Sequence, residues 1–302
     1  MSRRRPFPVD EREYPFESRW LERGDSAMHY VDVGRGRPVL MLHGNPTWSF
    51  LYRRVIRALE GECRCIAPDY PGFGFSDHPP GYGYTPGEHA RWVGELVDEL
   101  RLDGLVVVGQ DWGGSIGLRT AVERPGRTAG LVMANTWCWA PDWRLGLFSR
   151  AMGGSTLGRW LQLEHNFFAR HVVPAGIYRP ERRTDAVLEA YRKPFPDRES
   201  RRGTWVFPRA IRTFAGWLEA TWRELDVLEP LPVELVWGTK DPALGGEEYL
   251  ERWRDRFAAA SVDRVEDAGH YLQEDRPERL ASGVRRCLRR SSDSGGSTPE
   301  GG

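Results

Sequence analysis

The sequence predicts a doubly wound, mostly parallel α/β sheet interrupted by one helical insertion. Three observations carry that expectation. Short apolar runs alternate with helical periodicities from Ala27 to about Asn135. The alternation then stops, and from Thr136 to about Leu225 the text is rich in aromatics and arginine, with no buried-strand runs. It resumes at Val233 and continues to Leu288. Strand–helix alternation of this kind builds parallel sheets, because each crossover between parallel neighbours needs a helix.

Taken in order, residues 1–25 are polar and are expected to wrap the surface. Ala27–Val33 and Pro38–Leu42 read as strands, the second running into the loop His43-Gly44-Asn45-Pro46. Trp48–Leu59 reads as a helix and Cys63–Ala67 as a strand. Thr85–Leu100 has helical periodicity, with Thr85 as N-cap and Pro86 in the first helical position. Leu105–Val108 is wholly apolar, as suits a strand buried on both faces. A helix follows from Trp112, then a strand over Gly130–Ala134. After the insertion come strand Val233–Trp237, helix Glu247–Ala259, strand Ser261–Glu266 and helix Pro277–Leu288. The expected organisation is a first core segment over 1–135, a helical cap over 136–225, a second core segment over 226–290 and a Ser/Gly-rich, disordered tail over 291–302.

Composition bounds the function. At 302 residues, the chain suits two units of roughly 150 residues or one large α/β domain. Lys+Arg and Asp+Glu are both 43, which argues against a nucleic-acid binder and an acidic disordered chain. Only Lys193 and Lys240 are lysines, so 41 of the 43 cations are arginine, scattered rather than striped. The cysteines Cys63, Cys65, Cys138 and Cys287 form no C-x-x-C pair, so no zinc site is expected. Arg3-Arg4-Arg5 is not followed by an apolar stretch, and no run approaches the ~18 residues of a membrane span. A cytoplasmic protein without a membrane partner is the expectation; the oligomeric state is not legible.

The sharpest local signal is Gly109-Gln110-Asp111-Trp112-Gly113-Gly114, which closes a strand and opens a helix. It matches the elbow pattern G-x-nucleophile-x-G, with Asp in the nucleophile position. Taken alone, it reads equally well as a plain strand–helix turn whose Asp caps the helix. Two later residues tip the balance. Asp241 follows strand Val233–Trp237, and His270 follows strand Ser261–Glu266. The order nucleophile, acid, histidine is that of α/β-hydrolases, and all three stand at carboxyl ends of strands. The other six histidines read as structural. After the second strand, the His43–Pro46 loop is placed to donate the Asn45 backbone N–H to an oxyanion, beside that of Trp112.

An Asp nucleophile selects its substrate. Attack on an ester carbonyl would make a reactive anhydride, whereas attack on a saturated carbon with a leaving group makes an ordinary ester. His270 would then activate a water against the Asp111 carboxyl carbon, with Asp241 holding the imidazole tautomer. Each oxyanion donor is worth about 3 kcal/mol. An alkyl halide or an epoxide fits.

The runs His43-Gly44-Asn45-Pro46-Thr47-Trp48-Ser49 and Ala67–Asp77, the elbow, Gly238-Thr239-Lys240-Asp241 and Gly269-His270 together resemble a haloalkane dehalogenase of the α/β-hydrolase superfamily, over roughly residues 20 to 288. The resemblance implies an α/β-hydrolase fold with an inserted helical cap and no cofactor. Its substrates would be small hydrophobic halogenated compounds, with water as co-substrate and a halide as product. It also implies a halide held by the indole N–H of Trp112 and the side chain of Asn45, or a cap Trp such as Trp160. Many members carry a catalytic Glu at the end of the strand before the cap, where this sequence has Asn135. Asp241 instead matches the branch with an Asp–His–Asp triad.

Two alternatives stay open on sequence. An epoxide hydrolase would use the same Asp111 with cap tyrosines, for which Tyr178 and Tyr191 are candidates. A non-hydrolytic member, a receptor or an oxygenase-like luciferase, would use the pocket to bind a hydrophobic ligand. The aromatic insertion is expected to close over Asp111 as a lid, with Leu244 joining an apolar lining.

Overall fold

The computed structural model describes residues 3–293. Eight strands form one sheet: β1 (Arg19–Arg23), β2 (Ser26–Val33), β3 (Pro38–Leu42), β4 (Arg64–Pro68), β5 (Leu105–Gln110), β6 (Thr128–Ala134), β7 (Val233–Gly238) and β8 (Ser261–Val265). Their order across the sheet is β1-β2-β4-β3-β5-β6-β7-β8. β2 runs antiparallel to both of its neighbours, and every pairing from β4 to β8 is parallel.

The sheet is covered on both faces, and side-chain alternation sorts the core accordingly. Leu40, Leu42 and Val107 face the helices α2 (Pro86–Glu99) and α3 (Trp112–Val122), where they meet Val93, Val97 and Ile116. Val39, Met41, Val106 and Val108 face α1 (Arg53–Leu59) and the C-terminal helix, where they meet Val55, Ile56 and Val284. Each such fully buried side chain contributes about 1.5–3 kcal/mol. α2 begins where its sequence signal places it. The Thr85 hydroxyl accepts from the Glu88 N–H, the Glu88 carboxylate accepts from the Thr85 N–H, and Pro86 fills the first position. All four cysteines are free and buried, and Cys63 and Cys65 share one side of the sheet.

The insertion is helical throughout: α4 (Trp143–Ser149), α5 (Thr156–His165), α6 (Val173–Gly176), α7 (Asp185–Arg192), α8 (Arg202–Thr213) and α9 (Ala215–Arg223), with short 3₁₀ and π turns between them. The core then closes with α10 (Glu247–Arg256), α11 (Leu272–Asp275) and α12 (Pro277–Asp293). The insertion rests on the carboxyl edge of the sheet, where Phe207 of α8 stacks on Trp112 at 5.5 Å. A second tie lies at α11. The Asp275 carboxylate accepts the N–H groups of Gly269, Tyr178 and Arg179, joining the loop before His270 to the insertion.

Two expectations are corrected. Residues 1–25 do more than wrap the surface. Arg19–Arg23 is an edge strand paired with β2, and Tyr14 and Phe16 are buried in the core. Only Leu21 of the strand is buried, so its charged text carries no strand signal, and β2 alone supplies its hydrogen-bond partners. The tail does not begin at 291. α12 continues through Ser291 to Asp293, because the buried Ser291 hydroxyl donates to the Leu288 carbonyl and accepts from Arg37. The rest of the expected tail, 294–302, lies outside the described residues. Among those residues, no helix is long and apolar enough to cross a membrane.

The elbow glycines are there for clearance. A Cβ on Gly113 would overlap the backbone carbonyl of Leu42, and one on Gly109 would meet the backbone of Gly114 at 2.5 Å. Gly113→Ala is therefore expected to lose about 3 kcal/mol or more of stability in urea unfolding. A wild-type midpoint would contradict this account of the contact between α3 and the end of β3.

Candidate active site

Asp111 stands between β5 and α3 with φ 53° and ψ −132°, a backbone conformation that L-residues with side chains rarely adopt. The strain is held from both sides. The Asp111 N–H donates to the Asn135 carbonyl at 3.0 Å, and the Asp111 carbonyl accepts from the Thr136 hydroxyl at 2.6 Å. The carboxylate makes no cap hydrogen bond to α3, which removes the plain-turn reading. It turns instead toward the β3 loop, where Oδ1 accepts the Asn45 N–H at 2.9 Å. Gly44 permits that approach, since a Cβ there would overlap the carboxylate.

His270 lies in the loop after β8, between two carboxylates. Its Nδ1 is 2.7 Å from Asp241 Oδ2, and its Nε2 is 3.6 Å from Asp111 Oδ2. Asp241 is fixed from three directions: Oδ2 also accepts from Asn135 Nδ2 at 3.0 Å, and Oδ1 accepts the Ala243 N–H at 2.8 Å. Asn135 reaches further, bonding both the N–H and the carbonyl of Gly238. Burial pushes Asp241 up, but His270 and the amides of Ala243 and Leu244 outweigh it and hold the carboxyl below its ordinary range. For His270 burial acts downward, yet Asp241 and Asp111 overrule it and hold the imidazole above its ordinary range. Gln110 opposes them. Its amide lies 3.0 Å from both Nε2 and the carbonyl of His270, and only a neutral ring can accept its N–H.

These groups form the floor of a cavity of about 500 Å³. Asn45, Asp111, Trp112 and His270 are at its base; Leu145, Phe148, Phe167, Phe168, Pro208 and Ile211 from the insertion form its walls, and Leu244 joins them. The lining is overwhelmingly apolar, so charges on the floor interact with little screening. Among the described residues, no group of three or more His, Cys, Asp or Glu is placed to hold a metal ion.

The alpha/beta hydrolase fold family matches residues 37–277. "Haloalkane dehalogenase 2" of Mycobacterium tuberculosis (strain ATCC 25618 / H37Rv) is 42% identical over 281 residues, covering 92% of this chain and 97% of the relative. The chain belongs to the haloalkane dehalogenase family of α/β-hydrolases. The solved haloalkane dehalogenase DbeA from Bradyrhizobium elkani USDA94 superposes with a TM-score of 0.84 at 27% identity, over 92% of this chain and 99% of that one. A more distant relative, the cis-3-alkyl-4-alkyloxetan-2-one decarboxylase of Shewanella oneidensis, is 32% identical, over 91% of this chain and 89% of the relative.

Within this dehalogenase fold, the residues singled out by sequence do not all converge. Asp111, His270, Asp241, Asn45 and Trp112 do. The Trp112 indole N–H has no acceptor among the described residues, while Asn45 Nδ2 donates to the Thr204 carbonyl at 3.3 Å. Trp160 does not; it is 50% exposed on α5, rests against the His165 ring at 4.0 Å and does not line the cavity, so it is not a halide contact. The tyrosines an epoxide hydrolase would need are also elsewhere. Tyr178 is exposed, and Tyr191 is buried with its hydroxyl donating to Glu274 at 2.5 Å. Glu274 in turn pairs with buried Arg53.

Trp137 lines the cavity as expected of an insertion aromatic, whereas His171, one of the six histidines that read as structural, also lines it; Gln110 and Tyr271, to which the sequence assigns no role, touch His270 or line the cavity. Gln110 and Tyr271 flank the nucleophile and the histidine directly, a signal that adjacency alone offered. Asn135 was noted only as lacking a charge; its role as a double donor and acceptor needs the neighbouring β7 turn.

Asp241→Ala is expected to reduce turnover of a bromoalkane on the order of 10⁴-fold, and Asn135→Ala by roughly ten- to a hundredfold, the worth of one hydrogen bond to a charged group. Steady-state halide release measures both. Near-wild-type turnover in Asp241→Ala would remove it from the acid's role.

Proposed function

We propose that the protein hydrolyses haloalkanes to an alcohol, a halide and a proton through a covalent alkyl ester on Asp111. The observation that carries this reading is the Asp111 carboxylate itself. One oxygen rests on the Asn45 N–H, the other faces His270, and an apolar cavity lies above them. Asp111 attacks the saturated carbon, and the carbon–halogen pair leaves with the halide. Trp112 offers its indole N–H to that anion. Asn45 has two amide hydrogens, so one can stay on Thr204 while the other reaches the halide.

The second step reverses the electrostatics. Esterification cancels the Asp111 charge, so His270 keeps only one of the two carboxylates that hold its proton. Its proton affinity falls, so it gives its proton up to solvent, the proton of the overall reaction, and is left as a base once the ester has formed. It takes a proton from water, whose oxygen attacks the ester carbonyl carbon. The oxyanion forms on Oδ1, already seated on the Asn45 N–H, with the Trp112 N–H as the second donor. Collapse releases the alcohol and restores the carboxylate. Gln110 orients the ring while it is neutral.

A second reading rests on the Shewanella oneidensis relative. Attack of Asp111 on the ring sp³ carbon of an oxetan-2-one would open the ring and free a carboxylate on the same molecule. Loss of CO₂ would then expel Asp111 and leave an alkene. That sequence needs no water and no base, so His270 separates the two.

With His270→Phe, addition of a bromoalkane is expected to leave one alkyl group on Asp111, seen by intact-protein and peptide mass spectrometry. The same variant would still turn over a dialkyl oxetan-2-one if the second reading held. An unmodified protein, or an adduct on a cysteine, would overturn the covalent route.

The influence of the Asp111 charge on His270 is directly measurable. Asp111→Asn imitates the uncharged ester, so His270 in that variant should lose its proton at lower pH than in the wild type when followed by nitrogen-15 NMR. Equal titration would mean Asp111 does not govern the base.

A further inference from the structure

Seven large apolar side chains are exposed among the described residues, and five belong to α4 and α5. Trp143 is 74% exposed and Leu147 59%, four residues apart on one face of α4; Leu157 is 62% exposed and Trp160 50%, three apart on one face of α5. The fifth, Phe148, is 39% exposed and also lines the catalytic cavity. The opposite sides of both helices are occupied, with Leu145 and Gly158 buried and both helices packed on α8.

Charge on this face is mainly cationic. Arg144, Arg150 and Arg159 lie between Trp143 and Leu163; Arg144 pairs with Glu248 at 3.6 Å, and the flanking acid Glu164 is taken up by Arg198 at 3.0 Å, which leaves Arg150 and Arg159 as the cations of the patch. Arg150 and Arg159 are exposed. Arg159 lies 5.2 Å from the centre of the Trp205 ring, and Arg209 of α8 lies 5.3 Å from the same ring, which adds a third cation beside the patch. Arg144, like Phe148, lines the cavity, so the catalytic pocket reaches the surface at the patch.

We propose that the α4–α5 face docks the protein on a lipid surface rich in anionic headgroups. Tryptophan and leucine side chains enter the boundary between headgroups and acyl chains, and the arginines pair with lipid phosphates. A protein partner seated on the same residues would close the cavity mouth, whereas a bilayer leaves it facing a reservoir of apolar molecules. Docking does not depend on the reaction; only the supply of lipophilic substrate rests on the function proposed above. Sequence reading expected no membrane partner because no single run is long enough to span. The patch is assembled from two short helices and is peripheral.

Flotation with vesicles of phosphatidylglycerol and phosphatidylcholine in equal parts tests the docking, with pure phosphatidylcholine vesicles alongside. The full-length protein is expected to float with the anionic vesicles, to bind the neutral ones far less, and to be released at high salt. Combining Trp143→Ser, Leu147→Ser, Leu157→Ser and Trp160→Ser should weaken binding roughly tenfold or more. Hydrolysis of a water-soluble bromoalkane should stay unchanged in that variant, which also reports that it is folded. Arg150→Glu with Arg159→Glu should abolish the preference for anionic vesicles. Three outcomes would overturn the proposal: no flotation, flotation indifferent to these substitutions, or a concentration-dependent dimer that the four serine substitutions dissolve. Flotation and dimerisation are read without catalysis, and a thermal melt reports folding of the variant independently, so the docking test stands apart from any failure of the hydrolytic reading.

Discussion

The tight junction between β5 and α3 is the constraint on which the rest of the site depends. A side-chain-bearing residue at positive φ projects its carboxylate off the sheet edge only if strand and helix come close enough to force the turn. Gly109 and Gly114 allow that approach, Gly113 clears the Leu42 carbonyl at the end of β3, and Gly44 clears room for the carboxylate itself. The strain at Asp111 is balanced by hydrogen bonds from the neighbouring β6 turn, at the Asn135 carbonyl and the Thr136 hydroxyl. The nucleophile is thus positioned by three strands at once, which is why a short motif can specify it so sharply.

Around that carboxylate the polar groups form one connected set. Asn135 fixes the Asp111 N–H through its carbonyl and Asp241 through its side chain. Asp241 orients His270, and Gln110 meets the ring from the strand below. Two negative charges beside one imidazole favour its protonated form, while Gln110 favours the neutral one. Such opposed influences let the loss of a single charge at Asp111 change the state of the histidine. Asn135 fits this arrangement, because it bridges the β6 and β7 turns without adding a third carboxylate.

The insertion supplies the dry environment and the route in. Its walls are apolar, and Phe207 braces Trp112 from above. Its attachment is polar: Asp275 collects three backbone N–H groups from both sides of the junction, and Tyr191 reaches the buried Arg53–Glu274 pair. Tyr191 therefore serves the join between the layers, and Tyr178 stays at the surface. α4, which walls the cavity through Leu145 and Phe148, also carries the exposed Trp143 and Leu147.

By itself, the sequence determined the parallel sheet, the N-cap at Thr85, the elbow and the family. Each is encoded locally, by side-chain period, by a cap at fixed spacing, or by glycines beside the residue they serve. Asp111, Asp241 and His270 were legible because each closes a recognisable strand, and strand ends of a parallel sheet meet at one edge. Tertiary structure alone decided the rest. Arg19–Arg23 became a strand only through β2, since its own text is charged. Ser291 became helical through Arg37. Asn135 and Gln110 acquired partners 103–106 and 160 residues away in the chain. Which aromatics of the insertion point inward, as Phe168 does, and which face outward, as Trp160 does, was fixed by how short helices pack on α8. Aromatic composition is the same for a cavity wall and for an exposed face, and only the packed arrangement distinguishes them.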